Sequence, residues 1–596
     1  MISYLIIFYS LIFKLFPNKK DLKNKKLDLY SLIFFSLLIS HLILGFISLL
    51  LLTFHISKFP VLYISFFILG ISIIFDKEIN YKFGIIKDFF SNEIRKLKEK
   101  NQNNFQKFTF YLILLFLILI TLSSLGPINH PDASDYHVGY PYQYFIRGEF
   151  FIDGGLHQGL LGLADYANFA FIQEKSTWLI RTIQIINLPF LILFLSTRTK
   201  NNLFILALLT TPTFFQWSTI GKPMFLGESC LIAIFIIWET NKSKFNLRFL
   251  LTSAIACIAF KISSLIIIVP IFLIIFFNFI KNKTSKKEIL KDFIEIINSK
   301  IFILTVLSLL LLLFNRFQIT GNFAYPLLTN IFNKQDILIN EFSELLQSYG
   351  RDINSIIGIF FPLSLSNIGQ SLGLFIIFII IFFFLQFKTI YNLKTYKNLW
   401  LTAFSQLLLL LLFSQGRSDY YASPLILFTY LSSQIQLSKI DANLYKLFQI
   451  NILIQVFIFS SFISISIFQN INALLNYEDF MNKTAFGFSS SQIIEPNRLG
   501  RILFTTRNTR LFYPENYLDK DLMSRCIIEN SSTIKPNSQS FCLDKYKVNQ
   551  IISSKNYLDN NDAFKCINVK LKSGSRNPFN RIYLKQNYCE RNKKLK

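Results

Sequence analysis

The sequence predicts an all-α polytopic membrane domain of about 14 transmembrane helices, followed by a small C-terminal α/β domain. Composition is the first reason: 52% of the 596 residues are hydrophobic and 16% are charged, whereas a soluble domain carries about 25% charged residues. The second reason is that apolar runs of roughly 20 residues, the length that crosses a bilayer, recur as far as residue 468. From residue 469 onward, polar residues alternate with short β-like runs, which is typical of a compact soluble domain.

The distribution of basic residues orients the predicted helices. Lys and Arg outnumber Asp and Glu by 61 to 35, which gives a net charge of +26. In short loops such residues favour the cytoplasmic side, and they are concentrated at residues 19–26 and 76–107. Because they interrupt apolar spans rather than form one patch, we expect no nucleic-acid partner.

These features divide the chain into three parts. Residues 1–107 hold N-terminal transmembrane helices and a basic cytoplasmic loop, and residues 108–468 hold a transmembrane core with outer loops at 126–175 and 317–351. Residues 469–596 are predicted to form an extracytoplasmic soluble α/β domain. The expected localisation is the cytoplasmic (inner) membrane, multi-pass, with the C-terminal domain on the periplasmic or extracellular side.

Two local patterns refine this division. The apolar run Leu250–Ile280 is too long for one helix and short for two full spans, and the charge-derived topology requires two helices there, broken near Lys261. In the tail, the segments Arg501–Thr505, Val548–Ser553 and Arg581–Leu584 have the residue types and lengths of strands.

Four of the six cysteines lie in the tail and are disulfide candidates: Cys526, Cys542, Cys566 and Cys589. An even number of cysteines confined to an outside domain fits one or two disulfides in an oxidising compartment. Three complete pairings are open. Zinc is disfavoured because the tail contains no histidine and the chain has no Cys-x-x-Cys pattern.

Ionisable residues mark the predicted outer side of the membrane domain. Asp132 and Asp135 lie three residues apart in the first outer loop and share a face if that segment is helical. A carboxylate just outside a span can act as a general base or hold a cation, and helix capping by Asp132 is the structural alternative. Other ionisable residues lie close to the outer ends of later spans: Lys222, Glu228, Lys261, Arg417 and Asp419. Lys and Arg beside carboxylates suit a phosphate anion next to a general base, whereas snorkelling to the interface is the alternative for the basic side chains.

Four short motifs occur in a fixed order along the core. They are Pro-Asp-x-x-x-Tyr-His at Pro131, Asp132, Tyr136 and His137, then Gly221–Glu228, then Thr320–Pro326, and finally Arg417 with Tyr420 and Tyr421. Together they cover about residues 108–437, and they resemble GT-C glycosyltransferases of the protein mannosyltransferase and lipid A aminoarabinose transferase types. The chain departs from that pattern at Phe323, where proline is usual, and in three extra spans that precede the matching core.

The resemblance implies a GT-C-like fold and an integral membrane glycosyltransferase. Such an enzyme moves a sugar from a polyprenyl-phosphate donor to a glycan, lipid or protein acceptor at the outer face of the membrane, in contact with membrane lipid. It implies Asp132 as general base, with Asp135 as the second candidate. The substrate-binding residues implied are Tyr136, His137, Lys222, Glu228, Lys261, Asn322, Tyr325, Arg417 and Tyr420. No cofactor is required, although a divalent cation would be compatible with the carboxylates and with His130 or His137.

Two other classes of protein compete with this interpretation. A multi-pass transporter or flippase favours charges near the membrane midplane and inverted repeats, whereas here the charges lie near outer span ends and no repeat is visible in the sequence. A non-catalytic envelope glycan assembly protein fits the large tail but leaves the polar first loop unexplained.

Overall fold

The fold is described from a computed structural model of the chain. The structure describes residues 8, 11–12, 28–56, 79–101, 103–153, 155–172, 177–241, 244–281, 294–332, 336, 339–340, 396–413, 422–434, 442–485, 488, 501–504, 510–512, 517–518, 520–530, 538–553, 564–573 and 582–591.

Helices dominate residues 28–485. They are α1 (Leu29–Thr53), α2 (Ile79–Lys100), α3 (Asn104–Ser124), α4 (Gly139–Arg147), α5 (Leu163–Asn168), α6 (Trp178–Gln184), α7 (Leu188–Arg198), α8 (Leu203–Leu209), α9 (Pro212–Thr219), α10 (Met224–Asn241), α11 (Lys244–Phe260), α12 (Leu265–Lys281), α13 (Lys300–Thr320), α14 (Thr329–Phe332), α15 (Lys397–Phe413), α16 (Ala422–Ser433), α17 (Ala442–Leu475) and α18 (Tyr477–Thr484). Between α3 and α4, residues Ala133–His137 form one π-helical turn.

Six helical segments within the described residues are long and apolar enough to cross a membrane. They are α1, α3, the α6–α7 pair, α10, α13 and α17, and four shorter apolar helices accompany them. This is the architecture of a helical membrane protein, as the composition predicts. The expected number of about 14 spans is not confirmed, and parts of the predicted transmembrane regions, among them residues 57–78 and 341–395, lie outside the described residues. The last span, α17, continues to Leu475, beyond the predicted boundary at residue 468.

The spans differ in how much of their surface is covered by protein. Helices α1 and α10 are apolar on all sides and largely buried, so they lie at the centre of the bundle. Helices α3, α13 and α17 leave most of their residues outside the buried core, and side chains such as Phe314 and Phe457 are exposed. Such surfaces are suited to contact with lipid chains rather than water.

The short helix α5 packs directly against α1, where Gly45 allows the two backbones to meet. A Cβ atom at Gly45 would lie 2.0 Å from the carbonyl oxygen of Leu163. This contact anchors the segment after α4 to the central span.

The predicted break in the run Leu250–Ile280 is confirmed. Helix α11 ends at Phe260, Lys261 is extended with φ −159° and ψ 125°, and a short 3-10 turn leads into α12. The interruption removes Lys261 from a continuous apolar helix, where an ammonium group would be expensive.

From Arg501 onward, the described residues of the tail form a five-stranded sheet and two α-helices. The elements are β1 (Arg501–Phe504), β2 (Tyr517–Leu518), α19 (Lys520–Asn530), α20 (Ser538–Lys545), β3 (Val548–Ser553), β4 (Phe564–Ser573) and β5 (Ile582–Arg591), with strand order β2-β1-β3-β5-β4. Strand β1 is parallel to β2 and β3, whereas β5 is antiparallel to β3 and β4. All three predicted strand segments fall on strands of this sheet.

One disulfide joins the two helices of the tail. Cys526 in α19 is bonded to Cys542 in α20, and both side chains lie in the core between the helices and the sheet. In the register of β4 and β5, Cys566 lies directly opposite Cys589.

Candidate functional site

The predicted loop at residues 126–175 meets the start of α10 through an ion pair. Nζ of Lys222 donates a hydrogen bond to Oδ2 of Asp132 at 3.0 Å. The Lys222 side chain is only 4% exposed, whereas that of Asp132 is 36% exposed. The pair therefore combines a buried cation with a carboxylate that solvent or a substrate can reach.

The carboxyl group of Asp132 remains ionised well into the acid range. Burial raises its pKa, but Lys222 and, next in strength, His130 act in the opposite direction, and the pKa lies well below the usual value. A pKa depressed by a nearby cation is the expected result of such pairing.

A buried arginine fixes the loop that carries Asp132. The guanidinium group of Arg181 donates to four backbone carbonyls, those of Ser123, Gly126, Pro127 and Thr219. It thereby joins the end of α3, the start of the loop and the end of α9. Sequence reasoning missed this residue, although a lone arginine inside an apolar run was a visible signal for a buried partner.

A second lysine approaches the same turn from the break between α11 and α12. Nζ of Lys261 lies 5.5 Å from the centre of the Tyr136 ring, and the side chain is 9% exposed. Within the described part of the chain, the Lys261 ammonium group has no carboxylate partner. The Tyr136 ring also stacks with the ring of His157, and the two ring centres are 5.4 Å apart.

The next residue, His137, forms a buried pair with Asp165. Nδ1 of His137 and Oδ1 of Asp165 are 2.6 Å apart, and neither side chain is exposed. The other carboxylate oxygen accepts a hydrogen bond from the backbone N–H of Gly162 at 2.8 Å. Gly162 is required here by close packing, since a Cβ atom would lie 1.7 Å from the carbonyl oxygen of Phe260.

Asp135 points to different partners from those of Asp132. Its Oδ1 is 2.7 Å from Nη1 of Arg510 in the tail, and its Oδ2 is 3.5 Å from Nδ1 of His157. Arg510 is 5% exposed and also approaches Asp153, with Nε 3.5 Å from Oδ2. Asp135, the second candidate base, thus belongs to a network that joins the loop at residues 126–175 to the C-terminal domain.

Three further predicted site residues have other partners or surroundings: Glu228, Asn322 and Tyr325. Glu228 accepts a hydrogen bond from Ser264 at 3.2 Å inside the bundle. Asn322 uses its amide within its own turn, donating to the carbonyl of Leu327 and accepting from the N–H of Ala324. Tyr325 is fully buried. Arg417, Asp419 and Tyr420 lie outside the described residues.

No metal centre is visible within the described ranges, since no group of three or more His, Cys, Asp or Glu side chains is arranged to hold an ion there. The two candidate base carboxylates, Asp132 and Asp135, are each engaged by a cation. No family model, no curated protein and no solved structure matches the chain.

Proposed function

We propose that the protein is an integral membrane glycosyltransferase of the GT-C type. It would move a sugar from a polyprenyl-phosphate donor to an envelope acceptor at the outer face of the cytoplasmic membrane. The proposal places the C-terminal domain and the loop around Asp132 on that outer side.

The observation that carries the proposal is the pairing of partly exposed Asp132 with buried Lys222 at the ends of membrane helices. Lys261 lies at the same turn and lacks a carboxylate partner among the described residues. A lipid-linked phosphate reaches an enzyme from the bilayer, so cations held at span ends are suitably placed to bind it. Buried or half-buried cations bind phosphate more strongly than exposed ones, because less solvent screens them.

The proposed reaction needs a base and a means to stabilise the leaving group. Asp132 would take the proton of the acceptor hydroxyl while that oxygen attacks the anomeric carbon. The bond between the anomeric carbon and the phosphate oxygen breaks, and polyprenyl phosphate leaves with one more negative charge. Lys222 and Lys261 would stabilise that charge, so that no protonating acid is required. Arg417, from the motif resemblance, is proposed as a third cation.

A test uses the purified protein in lipid vesicles with a panel of polyprenyl-phosphate hexoses carrying a radiolabelled sugar. Asp132→Asn should reduce transfer by at least about 100-fold, the usual size of a general-base contribution. The fold should be retained, since asparagine still offers an oxygen to Lys222. Asp479→Asn, which alters an exposed pair with Lys483, is the matched control. Near-normal transfer by Asp132→Asn would remove Asp132 from the mechanism.

A further inference from the structure

We propose that His137 and Asp165 form an oriented hydrogen-bond acceptor that binds a substrate hydroxyl group at Nε2 of His137. The inference rests on the proposed function for the identity of the substrate. It adds a polar contact for a neutral hydroxyl beside the cations that would hold the phosphate.

The contact with Asp165 determines which ring nitrogen of His137 carries the imidazole proton. A carboxylate only accepts hydrogen bonds, so the contact between Asp165 and Nδ1 requires the proton on Nδ1. Burial, together with nearby Lys261 and Lys222, outweighs the effect of Asp165 and lowers the pKa of His137 to about 4. The ring is therefore neutral at pH 7, with a lone pair on Nε2.

The other ring nitrogen of His137, Nε2, is left to accept a hydrogen bond. This atom is buried and has no hydrogen-bond partner among the described residues. Buried polar atoms in proteins are nearly always paired, and an exception calls for an explanation. Asp165 is itself held by the N–H of Gly162, so the ring cannot turn to gain a partner at Nε2 without losing its hydrogen bond to Asp165.

The neutral state of the His137 ring determines which kind of group can bind at Nε2. A neutral Nε2 accepts a hydrogen bond and repels anions, which excludes the phosphate itself. Lys222 is occupied by Asp132, and Lys261 lies over the Tyr136 ring. A hydroxyl group, carried either by the sugar of the donor or by the acceptor, supplies the missing hydrogen.

The geometry suggests a variant that reverses the polarity of Nε2. In Asp165→Asn, the N–H of Gly162 should retain the amide oxygen, which turns the NH2 group toward Nδ1 of His137. The imidazole proton then moves to Nε2, which becomes a donor. His137→Asn provides the complementary change, because its amide can still donate to Asp165 but Nε2 is deleted. Ser134→Ala, which removes a hydroxyl bonded only within the same loop, is the control.

The experiment combines two readouts on the full-length protein. Nitrogen-15 spectra of histidine-labelled protein should show the Nδ1–H tautomer of His137 in the unaltered chain and the Nε2–H tautomer in Asp165→Asn. Transfer from a radiolabelled polyprenyl-phosphate hexose to membranes lacking the protein should fall about 10-fold or more in both variants, and by less than twofold in Ser134→Ala. A rise in the donor KM would assign the hydroxyl to the donor sugar, whereas a fall in kcat alone would assign it to the acceptor.

Several results would overturn the proposal. An Nε2–H or doubly protonated His137 in the unaltered protein would contradict the acceptor role. So would His137→Asn with normal kcat and KM, since that outcome indicates a purely structural contact with Asp165. If the unaltered chain transfers no sugar, the proposed function fails, and the nitrogen-15 spectra still decide whether Nε2 is an acceptor.

Discussion

Two carboxylates of the loop that follows α3, Asp132 and Asp135, lie three residues apart and have different surroundings. Asp132 pairs with Lys222 and keeps a third of its side chain exposed. Asp135 pairs with Arg510 and is 18% exposed, within a network that extends to Asp153. Asp132 immediately precedes the π-helical turn Ala133–His137, and Asp135 lies within it. Asp132 is therefore accessible to a reactant, whereas Asp135 holds two parts of the chain together.

Arg510 makes further contacts with the segment that follows Asp135. Its guanidinium lies 4.5 Å above the ring of Tyr140, and its backbone carbonyl accepts a hydrogen bond from Gln143. Tyr517 of strand β2 donates a hydrogen bond to Asp153 at 2.6 Å. The tail is thus joined to the loop at residues 126–175 by charge, aromatic and backbone contacts together.

The largest effect is expected from removal of the cation at Asp132. Lys222→Met should reduce sugar transfer by about 100- to 1,000-fold, the typical loss when a group that stabilises transition-state charge is deleted. The measurement is the rate of polyprenyl phosphate release in vesicles. Lys483→Met, which removes an exposed lysine paired with Asp479, should leave the rate unchanged. Equal rates for Lys222→Met and the control would exclude Lys222 from phosphate binding.

The same substitution should shift the pH dependence of the residual activity. In the unaltered protein the depressed pKa of Asp132 keeps the base ionised, so its acidic limb should lie below about pH 4, the ordinary pKa of the group. Without Lys222, the effect of burial is no longer offset by the lysine, and the pKa and the acidic limb should move upward. The contribution of the ion pair to stability follows the same sign: it is present above the unfolded pKa and is lost as pH falls through the folded one. A limb that does not move would contradict the assignment of Asp132 as base.

The Asp135 region should respond in stability more than in chemistry. Arg510→Met leaves two largely buried carboxylates without their cation, and loss of one partner of a buried pair typically costs about 3 kcal/mol. We expect faster proteolysis of the C-terminal domain and a lower denaturation midpoint. Lys483→Met serves again as control, since an exposed pair contributes about 0.5 kcal/mol or less. Unchanged proteolysis in Arg510→Met would show that this contact does not hold the domain.

The smallest effect is expected from the cysteines of β4 and β5. With Cys526 and Cys542 bonded to each other, the register that places Cys566 opposite Cys589 predicts a second disulfide across these strands. Peptide mapping under non-reducing conditions should recover both linked peptides, and transfer activity should not depend on the second. Alkylation of Cys566 and Cys589 without prior reduction would contradict this pairing.

The sequence predicts features that depend on local pattern. The break at Lys261 follows from the length of the apolar run and the cost of a charge inside it, and strand β3 follows from a short β-branched segment. The partners of individual charges do not follow in this way. Arg510 lies 375 residues from Asp135, and Asp165 contacts His137 only because α5 packs onto α1 and Phe260. Such pairings depend on tertiary packing, which residue spacing does not contain.

Mass spectrometry can test most directly whether the protein transfers a sugar. It compares polyprenyl-phosphate lipids and envelope glycans in cells with and without the protein. If the protein is the proposed glycosyltransferase, one polyprenyl-phosphate sugar should accumulate in cells without it, and one glycan should lose that sugar. The unaltered chain and Asp479→Asn should restore both, whereas Asp132→Asn should not. Identical lipid and glycan profiles in all four strains would contradict the account.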